Sequence, residues 1–140
     1  MSHRIVIAGA GAWGTALGKT LGDAGHDVRF WRRGDRPSGT ADAEIVVLAV
    51  PAQSTRDVLA VLSAHLTRRV PLVLTAKGLE RDTLLRQSQI AAEMAPDHPV
   101  AVLSGPSFAA DLVKGLPTAV TLAMAGPEGA VLQRTLSTAH

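Results

Sequence analysis

The chain has 140 residues, 46% of them apolar and 19% charged, with 13 glycines, 8 prolines, no cysteine and a formal net charge of +2. That length fits one domain around a single core, and the lack of cysteine excludes a disulfide framework, a zinc ribbon and a thiol nucleophile. No apolar run approaches the roughly 18 residues of a membrane span. Aromatics at 3% offer little stacking surface to nucleic acid, so a cytoplasmic chain with neither an integral membrane segment nor a nucleic-acid partner is expected.

Residues 4–8 (RIVIA) are a short β-branched apolar run, which reads as a buried strand. Glycines follow at once. Residues 13–24 then carry Ala16, Leu17, Thr20, Leu21 and Ala24 at helical spacing, with Gly25 where a helix ends. A second strand is expected over 27–31, a turn over 34–40 (GDRPSGT), and the most apolar strand over 44–50, stopped by Pro51. The spacing of Val58, Leu59, Val61, Leu62 and Leu66 predicts a helix over 56–66. A fourth strand (71–75), a helix (83–94), a fifth strand (100–103), a short helix (108–114) and a sixth strand (118–123) follow. Gly126-Pro127-Glu128 opens a last helix, with proline at its start and an acid in its first turn. Strands alternating with helices predict an α/β fold: a Rossmann-type parallel sheet with helices on both faces, in one dinucleotide-binding domain over 1–140.

Gly9-Ala10-Gly11-Ala12-Trp13-Gly14 is a G-x-G-x-x-G directly after a strand and directly before a helix, the context that dinucleotide binding requires. Gly9 suits the tight turn, Gly11 the approach of a pyrophosphate, and Gly14 close packing of helix on strand. The helix N-terminus offers N–H groups to the phosphates. At the end of the second strand, where an NAD site places Asp or Glu, the chain has Arg32 and Arg33. Arginine suits a 2′-phosphate, and the net positive excess is gathered in residues 27–36, so NADP(H) is favoured. NAD(H) stays open, because two arginines at a strand end are also ordinary surface charges and Asp35 could turn back to a ribose.

Five blocks carry a family resemblance: Gly9 to Leu17 (GAGAWGTAL), Gly25 to Trp31 (GHDVRFW), Thr75 to Glu80 (TAKGLE), Leu103 to Ala109 (LSGPSFA) and Gly115 to Val120 (GLPTAV). In this order they resemble the bacterial NAD(P)-dependent glycerol-3-phosphate dehydrogenases. The first block is shared by many Rossmann enzymes; the lysine and LSGPSFA blocks are much more specific. The resemblance implies interconversion of dihydroxyacetone phosphate and sn-glycerol 3-phosphate for phospholipid synthesis. It implies cofactor contacts at Ala12, Trp13, Arg33 and Ala109, a lysine touching both cofactor and substrate at Lys77, and substrate contacts at Gly105 and Ser107. Lys77 and Gly105 also follow strands, where open parallel sheets bind ligands.

Three departures from the resembling family stand out. Only residues 32–43 separate the second and third strands, where the family has several tens of residues, so one strand–helix unit is expected to be missing after the second strand. Asp111 stands where the family has Glu. The family's proton-transferring lysine lies in a downstream helical domain, expected to be absent here, along with any homodimer contact made through it. None of the five histidines (His3, His26, His65, His98 and His140) is a convincing substitute acid, and each reads as a surface histidine. No catalytic residue and no metal ligand are therefore assigned in this chain. Two alternatives are a stand-alone dinucleotide-binding module without chemistry, and another reductase with a Rossmann head and a helical tail that acts on 3-hydroxy acids.

Overall fold

The computed structural model describes residues 1–139. Its strands are β1 (Arg4–Ala8), β2 (Asp27–Trp31), β3 (Ile45–Leu48), β4 (Leu72–Leu74), β5 (Val100–Ser104) and β6 (Thr121–Met124). They form one sheet in the order β2-β1-β3-β4-β5-β6. The helices are α1 (Ala12–Asp23), α2 (Thr55–Ser63), α3 (Gln87–Met94), α4 (Ala109–Val113) and α5 (Glu128–Leu136).

Alternation along the central strands sorts the core onto two faces. Val6, Ala8, Val46, Leu48, Leu72 and Leu74 face one way and pack with Val58, Leu59 and Leu62 of α2 and Ala91 of α3. Ile5, Ile7, Ile45, Val47 and Val73 face the other way and pack with Leu17 and Leu21 of α1 and Leu132 of α5. With both faces covered, the central strands are apolar at nearly every position, as a buried parallel sheet requires. This is the Rossmann-type arrangement that the alternating pattern predicts.

Two features of the sheet depend on chain length between strands. β2 is the sheet's edge, and a single 3-10 turn, Pro37–Thr40, is the only helical element between β2 and β3. No strand lies beyond β2 among the described residues, so the expected loss of a strand–helix unit after β2 is what the sheet displays. β6 is the strand that departs from an all-parallel sheet: it pairs antiparallel with β5, Ser104 opposite Thr121. A parallel return needs a crossover along the length of the sheet. Residues 105–120 instead stay at the end of β5 where they begin, with α4 packed across α1.

One helix starts later than its spacing suggests. α3 begins at Gln87, not at residue 83, because residues 79–86 close on themselves. Leu79 bridges Arg86, Glu80 N–H donates to Leu85 C=O, and Leu84 takes a positive φ of 58°. The Gln89 side chain then accepts from the Arg86 N–H at the start of α3, at 2.9 Å, which satisfies one of the amides a helix start leaves free.

Candidate functional site

The first five strands run in parallel, so their C-terminal ends share one edge of the sheet. Each nominated residue lies just past one of these ends. The glycine turn after β1 is shaped by steric exclusion. Gly9 has φ +110°, and a Cβ there would sit 2.3 Å from the Ala49 carbonyl oxygen. A Cβ on Gly14 would sit 2.3 Å from the Gly9 carbonyl oxygen. A side chain at Gly9 would push the turn off the segment that follows β3, and one at Gly14 would push α1 off the turn. Gly11 is different: a Cβ there meets no protein atom within 4 Å. It precedes α1 with extended backbone, and Thr15 N–H donates to the Gly11 carbonyl at 2.9 Å. The amides of Ala12 and Trp13 are among those that a helix start leaves without an intrahelical acceptor. Open space in front of such amides fits an anionic pyrophosphate.

Arg32 and Arg33 follow β2, and the Gly9 N–H donates to the Trp31 carbonyl at 2.9 Å, which ties the two strand ends together. Among the described residues, neither guanidinium has a hydrogen bond or ion pair with another side chain or carbonyl. Arg29, by contrast, is held by Asp27 and Asp42. Asp35 is exposed and closes a local turn: its carboxylate accepts from the Arg32 N–H at 2.7 Å and its own N–H donates to the Arg32 carbonyl. Arg32, Arg33 and Arg36 outnumber Asp35 among the exposed charges at this corner, so its net charge is positive.

Lys77 and Gly105 come together from different strand ends, with the Lys77 Nζ donating to the Gly105 carbonyl at 3.4 Å. Gly105 packs closely on the chain before β6; a Cβ would lie 3.2 Å from the Ala119 carbonyl oxygen. Ser107 Oγ donates to that same carbonyl at 3.2 Å. Ala109 opens α4, while the neighbouring Phe108 is 72% exposed. Trp13 lies in the first turn of α1 and lines a cavity of about 580 Å³ with Leu17, Leu103, Leu112 and Thr118 to Leu122.

A polar cluster that the sequence patterns do not announce holds the segment just after Lys77. Arg56 of α2 makes a two-pronged ion pair with Glu80, with Nε and Nη2 each 2.9 Å from a carboxylate oxygen. Thr83 Oγ1 donates to the same carboxylate at 2.6 Å. The Arg56 guanidinium, and after it the Thr83 hydroxyl, hold the Glu80 carboxyl below its ordinary range. Gln87 lies behind them, accepting from Thr55 Oγ1 and donating to the Gly78 carbonyl at 3.2 Å. Glu80 sits inside the block that carries Lys77, which is the one sequence signal that could have nominated it. Among the described residues, no helix is long and apolar enough to cross a membrane.

The chain matches the family model described as NAD-dependent glycerol-3-phosphate dehydrogenase N-terminus in two stretches, residues 4–40 and 34–130. It is 42% identical over 149 residues to the glycerol-3-phosphate dehydrogenase [NAD(P)+] of Chelativorans sp. (strain BNC1), covering 85% of this chain and 46% of that protein. It is 39% identical over 167 residues to the enzyme of the same name from Paramagnetospirillum magneticum, covering 97% and 60%. The chain thus spans about half the length of the curated relatives it matches. Both aligned stretches are longer than the 140-residue chain itself, so the relatives carry residues with no counterpart here, and the family match breaks within residues 34–40, just after β2. Among solved structures, the glycerol-3-phosphate dehydrogenase of Coxiella burnetii superposes with a TM-score of 0.89 at 25% identity, over 98% of this chain and 51% of that one. The chain belongs to the family of the NAD-dependent glycerol-3-phosphate dehydrogenase N-terminal domain.

Proposed function

We propose that the chain is the cofactor-binding part of a dehydrogenase that interconverts dihydroxyacetone phosphate and sn-glycerol 3-phosphate in the cytoplasm, with NADP(H) preferred over NAD(H). The observation that carries this reading is the convergence of Lys77 and Gly105 on the sheet edge that also carries the open glycine turn. The reduced nicotinamide, when bound, supplies a hydride to the ketone carbon. In this reading the amides of Ala12 and Trp13 face the pyrophosphate over Gly11, with Gly9 and Gly14 holding the turn. Arg32 and Arg33 pair with the 2′-phosphate, and Ala109 lies against the cofactor. Lys77 places its ammonium on the substrate phosphate or on the ketone oxygen, where it stabilises developing negative charge. Gly105 and Ser107 face the glycerol phosphate. The alkoxide's proton comes from a helical domain outside this chain, where a homodimer contact would also lie.

Cofactor choice tests this reading. Charge-assisted contacts are worth roughly 1.5–3 kcal/mol each, and solvent screening at an exposed corner reduces that. We expect about tenfold tighter binding of NADPH than NADH, equivalent to ~1.4 kcal/mol, shrinking as salt rises. Replacing both arginines by serine should remove most of the preference and leave NADH binding nearly unchanged. Calorimetric titration of both cofactors at two salt concentrations reads this directly. Equal affinities, or a preference for NADH, would contradict the 2′-phosphate assignment, and a chain that binds neither would overturn the cofactor role.

A further inference from the structure

We infer that Arg56, Glu80 and Gln87 are positioning residues that fix the aim of Lys77, an inference that rests on the cofactor and substrate role proposed for that lysine. Lys77 is exposed, and its contact with the Gly105 carbonyl, at 3.4 Å, lies at the long limit of a hydrogen bond. An exposed lysine has four rotatable bonds and much rotamer freedom. What restricts this one is its backbone. On the strand side, Thr75 Oγ1 donates to the Leu48 carbonyl at 2.8 Å. On the far side, the Gly78 carbonyl accepts from Gln87 and the Leu79 carbonyl accepts from Gln53 at 2.9 Å. Glu80 is then pinned by Arg56 and Thr83. The next two carbonyls after Lys77 and the third side chain along are all held by α2, the turn before it, or α3.

These anchors are buried, with Gln87 at 6% and Glu80 at 9% exposure. Arg56 also reaches Glu93 of α3 at 2.9 Å, so the pair couples two helices to the loop. Global stability does not require such an arrangement. A buried ion pair loses much of its Coulombic gain to desolvation, and apolar replacements of similar volume are often as stable. The directional fork of a bidentate guanidinium–carboxylate pair fixes geometry, which an apolar contact would do less exactly. Here the geometry fixed is that of the segment one to three residues beyond Lys77.

The test is a double-mutant cycle on the 140-residue chain, using NADPH affinity together with backbone NMR relaxation of the unliganded protein. Glu80→Gln keeps the side chain's size and removes its charge; Arg56→Lys keeps the charge and removes the fork, and serves if the first variant folds poorly. Glu80→Gln should weaken NADPH binding about fivefold when Lys77 is present. With Lys77→Ala as the background it should change affinity by less than about 1.5-fold, because the effect passes through the lysine. Without ligand, fast motion should increase for residues 76–80 and stay unchanged in β4. Equal losses in both backgrounds would show a merely structural role and overturn the inference, as would unchanged motion at 76–80. If neither chain binds NADPH but 76–80 still loosens, the cofactor role fails while the positioning of Lys77 stands.

Discussion

The turn after β1 and the loop after β4 both deliver site residues to the same sheet edge, but they are held by opposite means. The first is shaped by missing side chains: Gly9 and Gly14 leave room for two backbone segments to touch, and no charge is involved. The second is shaped by side chains that reach across sequence distances of 24 and 32 residues, Arg56 to Glu80 and Thr55 to Gln87. A steric turn is rigid and insensitive to pH or salt, whereas an electrostatic loop can be loosened by a proton or a single isosteric change. Glycine 11 belongs to the first region and yet contributes nothing to its packing, which makes it the useful control.

The comparison can be broken most forcefully at Gly9. A Cβ there is strained by the positive φ and overlaps a carbonyl oxygen, so Gly9→Ala should cost about 2–4 kcal/mol and lower the melting temperature by about 5–15 °C. Calorimetric melting reads this, and an unchanged midpoint would refute the steric account of the turn. Gly11→Val should behave differently. With nothing within 4 Å of its Cβ, the variant should melt within about 0.5 kcal/mol of the parent. Its side chain would fill the space proposed for the pyrophosphate, so NADPH affinity should fall at least tenfold, about 1.4 kcal/mol. Normal affinity in a folded Gly11→Val chain would remove the glycine turn from the site.

A smaller effect separates the two regions by pH. The Glu80 carboxyl is held below its ordinary 4.5 by Arg56 and then Thr83. A lowered folded value means that the stabilisation is fully present above 4.5 and is lost as pH falls through the folded value. As pH falls below 4.5, the amides of residues 77–80 should therefore shift and broaden in NMR spectra before those of residues 9–14 do. Glu44 follows the same sign, its carboxylate held down by the Arg4 N–H at the start of β1. Simultaneous loss of both loops would mean that Glu80 does not act locally.

The steric region was the more legible one in sequence. Glycine spacing between an apolar strand and a helical pattern is a local signal, and it located Gly9, Gly11 and Gly14 without knowledge of any other segment. The short stretch between the second and third strands likewise pointed to the missing unit beside β2, because strand count follows from chain length. What sequence hid was non-local. Nothing near Thr118 says that the sixth strand returns antiparallel; that follows from α4 settling on α1. The helical pattern over 83–94 ran through residues that the Glu80 to Leu85 closure had already claimed. The contact of the Asp35 carboxylate with the Arg32 N–H is likewise not announced by the turn composition of residues 34–40. Arg56 and Gln87 carry no local signal of their own, because their partners lie one or two elements away.

We propose that this sheet edge, and no other surface, receives a dinucleotide. Chemical-shift mapping of the isotope-labelled chain during NADPH titration tests it most directly. Saturable shifts are expected at Gly11, Ala12, Trp13, Arg32, Arg33 and Lys77, and none at the opposite edge of the sheet around His3, Arg69 and His98. Shifts centred on that opposite edge, or no saturable shifts at all, would contradict it.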